Sequence, residues 1–448
     1  MRKGGGREWG ASGDRPADPG NPPAGSLVPS AGPSGTFWRS FGPGLLWAAA
    51  AIGVSHLVQS TRAGADGGFT LVWIVLVALL IKYPFFEYGP RYAGATGESL
   101  VEGYLRVGKW ALWVYLLVTL ATALIVQVTV VLFTSFLFAH VLGVDWSTAV
   151  SGAVVLALCG LILMVGRFQG LDRSIKVILL FLAVSTLVAA ALVVPEAATT
   201  EATPWPLGDT TIRLAFILAL AGWMPSAIDI SVWSSLWTLA KNRSSGQRAG
   251  VREALLDFRI GYVGTGIIAL AFLILGAGVM HAAGQAFSPQ GPVFSLQLVD
   301  LYAETLGAWA RPVMLVAVVT TMFSTTLTVM DGFPRALARS FRGLRHGLPE
   351  TPEEEKETRG YWVALVVLAV LTVIFFAWFV GTLTAMVDFA TIVSFITAPI
   401  LGYLNLRVVT SAHVPLEARP GRGLRSLSLV GLVLMVGTAV AFLVTLVP

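Results

Sequence analysis

The fold is decided by the segment 42–69, which reads GPGLLWAAAAIGVSHLVQSTRAGADGGF. It begins as an apolar run of the kind that crosses a bilayer, but Gly53, Ser55 and His56 interrupt this run halfway. A second segment at 214–237, LAFILALAGWMPSAIDISVWSSLW, is interrupted in the same way by Gly222, Pro225, Ser226 and Asp229. A broken span is tolerated in lipid only where it is buried in protein or lines a cavity. The two segments therefore predict a membrane protein with a site at its breaks.

Outward from these segments, apolar runs of membrane-spanning length recur along the chain. Of the 448 residues, 55% are hydrophobic and only 12% are charged, which is about half the charge density of a soluble protein. Continuous runs of about twenty apolar residues predict helices and exclude the alternating pattern of barrel strands. The sequence predicts eleven spans, at 42–62, 69–88, 110–138, 147–167, 175–195, 211–238, 260–284, 310–333, 361–380, 383–406 and 424–447.

The basic residues predict the orientation of these spans. With the N-terminus inside, 26 of the 30 Lys and Arg residues fall in inner segments, while Arg62, Arg213 and Arg311 lie outside and Lys82 lies within the second span. An excess of positive charge marks the cytoplasmic side. The pattern predicts a multi-pass protein of the plasma membrane with a cytoplasmic N-terminus and an outer C-terminus. The net charge of +5 thus reflects topology and requires no nucleic-acid partner.

The chain is predicted to hold a tail and one transmembrane domain. Residues 1–40 are rich in Gly, Pro, Ala and Ser without apolar periodicity, which predicts a disordered cytoplasmic tail. In the transmembrane domain at 41–448, a first group of five spans (42–195) and a second group (211–406) each open with a broken span. This is the pattern of inverted-repeat transporters, and the eleventh span at 424–447 stands outside it.

No sequence motif indicates an enzyme. There is no Walker loop, no HExxH pair and no recognisable Ser, His and acid triad. The single cysteine, Cys159, excludes an internal disulfide framework and multi-cysteine metal centres, and no cofactor is expected. The longest inner loop, at about 334–360, is too short for a nucleotide-binding domain. Any transport is therefore predicted to be driven by a gradient.

Four stretches resemble the Nramp family of divalent metal transporters. They are GPGLLWAAAA at 42–51, RAGADGGF at 62–69, RYAGATGESLVEGY at 91–104 and GWMPS at 222–226. The resemblance implies an all-α membrane protein of the LeuT-type fold, with two inverted five-helix repeats plus one or two extra helices. It also implies secondary transport of a metal cation, with a small inorganic cation as cargo.

The chain departs from this family at the positions that matter for the cargo. The family's first break reads Asp-Pro-Gly-Asn, whose carboxylate and amide bind the metal, whereas residues 53–56 read Gly-Val-Ser-His. The family's Met-Pro-His in the sixth span becomes Met-Pro-Ser at 224–226. The third span of the family usually carries an Asp and a Glu thought to conduct protons, but the comparable stretch 119–131 offers Thr122, Gln127 and Thr129.

The candidate binding residues follow from the breaks and this resemblance: Gly53, Ser55, His56, Gly222, Met224 and Ser226. His56 and Met224 are soft donors that suit late transition metals, although two side chains make an incomplete site. The alternative for His56 is a hydrogen-bonded residue lining a cavity, and for Met224 it is apolar packing.

Three further residues are candidates for coupling. Asp229 and Asp388 lie within spans, where a carboxylate is costly and is expected to be functional, and Gln127 is the polar group of the third span. Each carboxylate is alternatively a structural partner of a hydroxyl or of Lys82. For Lys82 and Glu87, near the inner end of the second span, mutual pairing or snorkelling is the simpler explanation.

The sequence thus predicts an Nramp-related secondary transporter, of metal cations, with alternating access and a site that lacks the first-span Asp. Two alternatives stay open. One is a transporter of an organic solute or anion on the same fold, and the other is a sensor that transports nothing.

Overall fold

The computed structural model describes residues 42–165, 168–199, 210–246, 248–348, 359–378 and 381–446. Every regular element within these ranges is helical, as the apolar runs predict. The tail predicted at 1–40 lies outside the described residues.

The described residues of the first half form seven α-helices and two short helical turns of other type. In chain order they are α1 (Pro43–Ala51), a π-helical turn (Ser55–Ser60), α2 (Thr61–Gly67), a 3-10 turn (Gly68–Leu71), α3 (Val72–Thr96), α4 (Leu100–Val107), α5 (Lys109–Leu142), α6 (Thr148–Val165) and α7 (Phe168–Thr199).

The second half repeats this order with different loops. Its elements are α8 (Thr210–Gly222), α9 (Ile230–Ser245), α10 (Val251–Gly276), a π-helical turn (Ala277–His281), α11 (Gly291–Leu306), α12 (Ala310–His346), α13 (Arg359–Trp378), α14 (Leu383–Val409), a 3-10 turn (Leu416–Ala418) and α15 (Arg422–Thr445).

Both predicted interruptions are breaks in a helix. The first helix, α1, ends at Ala51, and helical structure resumes at Ser55 as a π-helical turn. The helix α8 ends at Gly222, and the chain is non-helical until α9 begins at Ile230. We call these two interruptions, 52–54 and 223–229, the first break and the second break.

The number of spans stays a prediction. Eight helical segments in the described ranges are long and apolar enough to cross a membrane by themselves. The broken helices are short pieces, and a shorter apolar helix, Leu179–Val194, lies within the fifth predicted span. The first two predicted spans also join, because Ser55–Thr96 is interrupted only by the 3-10 turn at Gly68, where φ is +53°.

Two described helices, α4 and α11, were not predicted because they are not long apolar runs. The helix α4 begins at a capping box, in which the backbone N–H of Ser99 donates to Glu102 Oε2 at 2.9 Å. The helix α11 begins with a glycine and a proline and connects α10 to α12. Short helices with mixed faces carry a weaker signal than spans.

Equivalent helices of the two halves pack in equivalent pairs. The helix α2, which follows the first break, packs against α10, and α9, which follows the second break, packs against α3. Each contact is made at a glycine: a Cβ at Gly64 would lie 1.9 Å from the carbonyl oxygen of Leu273, and one at Gly89 would lie 2.1 Å from that of Ser231. Small residues let membrane helices approach this closely. This exchange of partners supports the organisation in two repeats.

Candidate functional site

The first break packs against a threonine of α12. Thr325 Oγ1 lies 3.4 Å from the carbonyl oxygens of both Ala49 and Ile52, although its single hydroxyl hydrogen has a nearer acceptor in the carbonyl oxygen of Thr321, at 3.1 Å in its own helix. Gly53 lies against the same side chain, because a Cβ added there would come within 2.8 Å of it. The predicted site residue Gly53 therefore serves the close approach of α12.

His56 ties the first break to α10. Its side chain is fully buried, with Nδ1 2.7 Å from Ser55 Oγ and Nε2 3.0 Å from the carbonyl oxygen of Thr265. A carbonyl only accepts, so Nε2 carries the proton and donates it. Both ring nitrogens are therefore engaged in hydrogen bonds. His56 is not among the residues that line the cavity described below, and its ligation of a metal stays a prediction.

The second break holds a buried ammonium group. Lys82 is fully buried on α3, and its Nζ donates to the carbonyl oxygens of Ala221 at 3.0 Å, Gly222 at 2.9 Å and Ser226 at 2.7 Å. These three acceptors match the three donors of an ammonium group. The expected pairing of Lys82 with Glu87 is therefore wrong.

Glu87 pairs with residues other than Lys82. Its carboxylate accepts hydrogen bonds from Tyr83, from Arg91 at 3.1 Å and from Arg259 at 3.4 Å. Two guanidinium groups and a phenol satisfy the carboxylate, so it has no need of the lysine.

A small cavity of about 40 Å³, partly open to solvent, lies between the two breaks. Its polar lining comprises Ser55, Ser226, Thr325, Asp229 and Trp233. Asp229 is 2% exposed, and its Oδ1 has no hydrogen-bond partner among the described residues. The indole Nε1 of Trp233 also lacks one there. The cavity lining thus includes one hydrogen-bond acceptor, Asp229 Oδ1, and one donor, Trp233 Nε1, that have no partner among the described residues.

The remaining lining is apolar. It comes from α1, α5, α9, α12 and the breaks themselves, with Ala50, Ala51, Val54, Val126, Val130, Trp223, Ala227, Ile230, Val329 and Phe333. A buried carboxylate in such surroundings is costly unless a donor or a cation meets it.

Two other predicted site residues serve packing. Met224 is fully buried and does not line the cavity, which fits its apolar alternative. Gly222 lies against α14, where an added Cβ would be 2.0 Å from the carbonyl oxygen of Thr391. Among the predicted residues of the second break, Ser226 and Asp229 reach the cavity.

The other two coupling candidates lie outside the cavity lining. Gln127 donates from Nε2 to Thr372 Oγ1 of α13 at 3.1 Å. Asp388 accepts from Arg62 Nη1 at 2.7 Å and from Gln59 Nε2 at 3.0 Å, so it pairs with α2 and not with Lys82.

The side chains do not assemble into the expected metal site. Within the described ranges, no group of three or more His, Cys, Asp and Glu side chains is placed to hold a metal ion. His56 faces α10, and Met224 is packed away from the cavity. The motif GWMPS at 222–226 is therefore present, but the metal ligands that the resemblance to the Nramp family implies do not come together around it.

Sequence reasoning missed Lys82 and Trp233. The rule that an ionisable residue within a span is functional was applied to Asp229 and Asp388, and it applies equally to Lys82. The place of Lys82 near the end of a predicted span suggested snorkelling instead. Nothing in the sequence singles out Trp233 from the other 13 tryptophans.

The family model for natural resistance-associated macrophage protein-like proteins, Nramp, matches residues 44–445. The chain belongs to the Nramp family. It is 35% identical over 418 residues to an uncharacterised protein of Pasteurella multocida, with 91% of this chain and 92% of that protein aligned. It is 26% identical over 314 residues to the divalent metal cation transporter MntH of Yersinia enterocolitica, covering 66% of this chain and 73% of that protein.

Solved structures confirm the fold. A variant of the manganese transporter of Eremococcus coleocola superposes with a TM-score of 0.67 at 13% identity, covering 92% of this chain and 88% of that one. This Nramp protein therefore has the LeuT-type fold, with the all-α membrane architecture that its sequence predicts. Family and fold indicate a multi-pass membrane transporter rather than an enzyme.

Proposed function

We propose that this Nramp protein is a secondary transporter that moves a small positively charged solute by alternating access. Asp229 is the group that neutralises the cargo. The observation that carries the proposal is the unpartnered carboxylate oxygen of Asp229 in a cavity between two broken helices. Broken helices at the midplane are where transporters of this architecture bind substrate.

The charges around the breaks favour a cation at this position. Lys82, the other ionisable side chain at the second break, already has three carbonyl partners. Asp229 Oδ1 has none among the described residues, so a cation or a proton is the missing partner. A carboxyl group that binds a proton in one state and releases it in the other also allows coupling to a proton gradient.

Alternating access needs contacts that open in turn at the two ends of the cavity. Two ion pairs between helices are candidates for such contacts: Arg62 pairs with Asp388 at 2.7 Å and joins α2 to α14, and Arg339 pairs with Glu102 at 2.5 Å and joins α12 to α4. We propose that the first pair faces outside and the second faces the cytoplasm. This assignment follows the basic-residue pattern, with the N-terminus cytoplasmic and the protein in the plasma membrane.

The nature of the cargo separates two candidates. The names of MntH and of the Eremococcus protein favour a divalent metal ion. A hard divalent cation needs about six oxygen ligands, and one carboxylate with three hydroxyl groups in a mainly apolar lining is a poor match. The mainly apolar lining favours the second candidate, a protonated organic amine whose body packs against Val54, Val126 and Phe333.

Flux in liposomes tests the proposal. Purified protein is reconstituted, and uptake of manganese, cobalt, small organic amines and small organic anions is compared with that of protein-free vesicles. We expect saturable uptake of one cation class and loss of at least tenfold in Asp229→Asn, which keeps the shape and removes the charge. The matched control is Asp300→Asn, since Asp300 forms an ion pair with Arg311 on an exposed surface.

Two results would contradict the proposal. Uptake confined to organic anions would show that the cargo does not need Asp229 as a counter-charge. Full uptake by Asp229→Asn, equal to that of Asp300→Asn, would make the carboxylate structural. If an inward proton gradient accelerates uptake in the unmodified protein, Asp229→Asn should remove this acceleration, and retention would place the coupling elsewhere.

A further inference from the structure

The end of α8 at the second break is a cluster of carbonyl oxygens. The last carbonyls of a helix have no partners within it and carry partial negative charge. Ala221 and Gly222 supply two such groups, and the chain turns back so that Ser226 supplies a third. Unwound carbonyls and helix C-termini coordinate ions in transporters of this architecture. The cluster has the chemistry of a monovalent cation site.

We infer that the Lys82 ammonium is a built-in cation, which permanently occupies this carbonyl cluster and closes it to free ions. The inference goes beyond the proposed transport, because it concerns a second position beside the cavity and is tested by ion binding without flux.

The hydrogen-bond geometry indicates that the Lys82 ammonium group occupies the carbonyl cluster as a bound cation would. All three Nζ to oxygen distances lie between 2.7 and 3.0 Å, the range of strong charge-assisted hydrogen bonds. The ring of Phe86 lies 5.7 Å from Nζ and adds a cation–π contact. Within the part of the chain that the structure describes, the carbonyl cluster is the hydrogen-bonding partner of Lys82, and no carboxylate pairs with it.

The packing of α3 fixes this arrangement. Gly89 lies two helical turns after Lys82 and therefore on the same face of α3. Its missing Cβ lets α9 approach, since a side chain there would collide with the carbonyl of Ser231. The same contact that joins α3 to the helix after the break thus directs Lys82 into the break.

Truncation of the lysine should turn the cluster into a site for free ammonium ions. In Lys82→Ala the side chain beyond Cβ is lost and the carbonyls stay, so methylammonium, ammonium or potassium has both room and acceptors. Tetramethylammonium has no N–H donor and serves as the matched salt. Lys109→Ala is the matched variant, because Lys109 is exposed at the start of α5.

The experiment is thermal unfolding of the detergent-purified protein in each chloride salt at equal ionic strength. We expect the midpoint of Lys82→Ala to rise by about 2 °C or more as methylammonium is titrated well above its Kd, because a ligand of the folded state stabilises it. The unmodified protein and Lys109→Ala should respond alike to methylammonium and less than Lys82→Ala does, because any binding of methylammonium in the Asp229 cavity is common to all three proteins.

If Lys82→Ala does not survive purification, recovery is the readout. Folded protein obtained only when methylammonium is present during solubilisation supports the inference, and equal failure with and without it overturns the inference. An Lys82→Ala midpoint that responds alike to all four cations also overturns it, as does a methylammonium response of Lys82→Ala no larger than that of the unmodified protein. Because binding of an amine in the Asp229 cavity contributes to both proteins, the difference between them does not depend on the cargo, and failure of the proposed function is read separately.

Discussion

The two breaks are equivalent in the fold and opposite in their chemistry. The first break is uncharged: the hydroxyl of Thr325 lies beside its carbonyl oxygens, and His56 hydrogen-bonds with both Ser55 and Thr265. The second break holds an ammonium group on its carbonyls and, a few residues on, the unpartnered carboxylate of Asp229. The resemblance to the Nramp family implies a metal-binding carboxylate in the first break. In this chain the acid of the cavity belongs to the second.

This difference shows that one backbone architecture can hold side chains of different chemistry at its two breaks. The α2–α10 and α9–α3 contacts keep both breaks in place through their glycines. The side chains at the breaks are then free to differ, because broken backbone can be satisfied by hydroxyl, imidazole or ammonium groups. We therefore expect changes at the first break to affect stability and changes at the second to affect both stability and binding.

The largest expected effect is that of a methyl group at Gly222. In Gly222→Ala the new Cβ would lie 2.0 Å from the carbonyl oxygen of Thr391. Both helix backbones would have to move to relieve this clash, so the free energy of unfolding should fall by at least about 3 kcal/mol. Gly53→Ala meets the movable side chain of Thr325 at 2.8 Å and should lose about 1 kcal/mol. Thermal unfolding compares both with Gly160→Ala, where nothing lies within 4 Å. A greater loss at Gly53 would reverse the comparison.

The next effect is at His56. A residue that only lined a cavity would be replaced without loss of folding, but the fully buried ring holds two hydrogen bonds. His56→Ala should therefore destabilise the protein by about 2–4 kcal/mol, through the loss of a buried ring and of its two hydrogen bonds. The midpoint of thermal unfolding measures this, with His140→Ala at the exposed end of α5 as control. Unchanged stability with lost transport would instead make His56 a binding residue.

A smaller effect concerns manganese. Because the first break lacks a carboxylate, manganese affinity should be weaker than in family members that have one there, by at least about 1.4 kcal/mol or tenfold. Titration calorimetry on the purified protein decides this. Micromolar manganese binding would show that other groups in the chain replace the missing ligand.

The smallest expected effect is at the ion pair that joins α2 to α14. The side chains of Arg62 and Asp388 are 12% and 31% exposed, so their coupling should stabilise the protein by less than about 1 kcal/mol. A double-mutant cycle of Arg62→Ala and Asp388→Asn by thermal unfolding gives this energy. A coupling above 2 kcal/mol would make the pair a permanent structural bond, which does not suit a contact that opens in each cycle.

The fold was predictable from the sequence because its signals are strong and local. Long apolar runs predict helices, and glycine, proline and polar residues at corresponding places predict both breaks. The short connections between helices were not predictable. The 3-10 turn at Gly68–Leu71 merges two predicted spans into one helical segment, and α4 depends on a capping box at Ser99.

The site was predictable by location and only partly by residue. Asp229 and Ser226 reach the cavity as expected of residues at a break. The directions of His56 and Met224 depend on neighbours distant in sequence, such as Thr265, and a resemblance of motif cannot supply them. The partners of Lys82 lie about 140 residues away, so the sequence alone gives no reason to choose carbonyls over Glu87.

The central claim is that the second break supplies the counter-charge for the cargo. Titration calorimetry with the cation that the liposome assay identifies tests it most directly, in Asp229→Asn and in Asp388→Asn, two acids of the transmembrane domain with the same substitution. The proposed role predicts at least a tenfold rise in Kd for Asp229→Asn, about 1.4 kcal/mol, and a change within about twofold for Asp388→Asn. An unchanged Kd in Asp229→Asn, or a larger loss in Asp388→Asn, would contradict it.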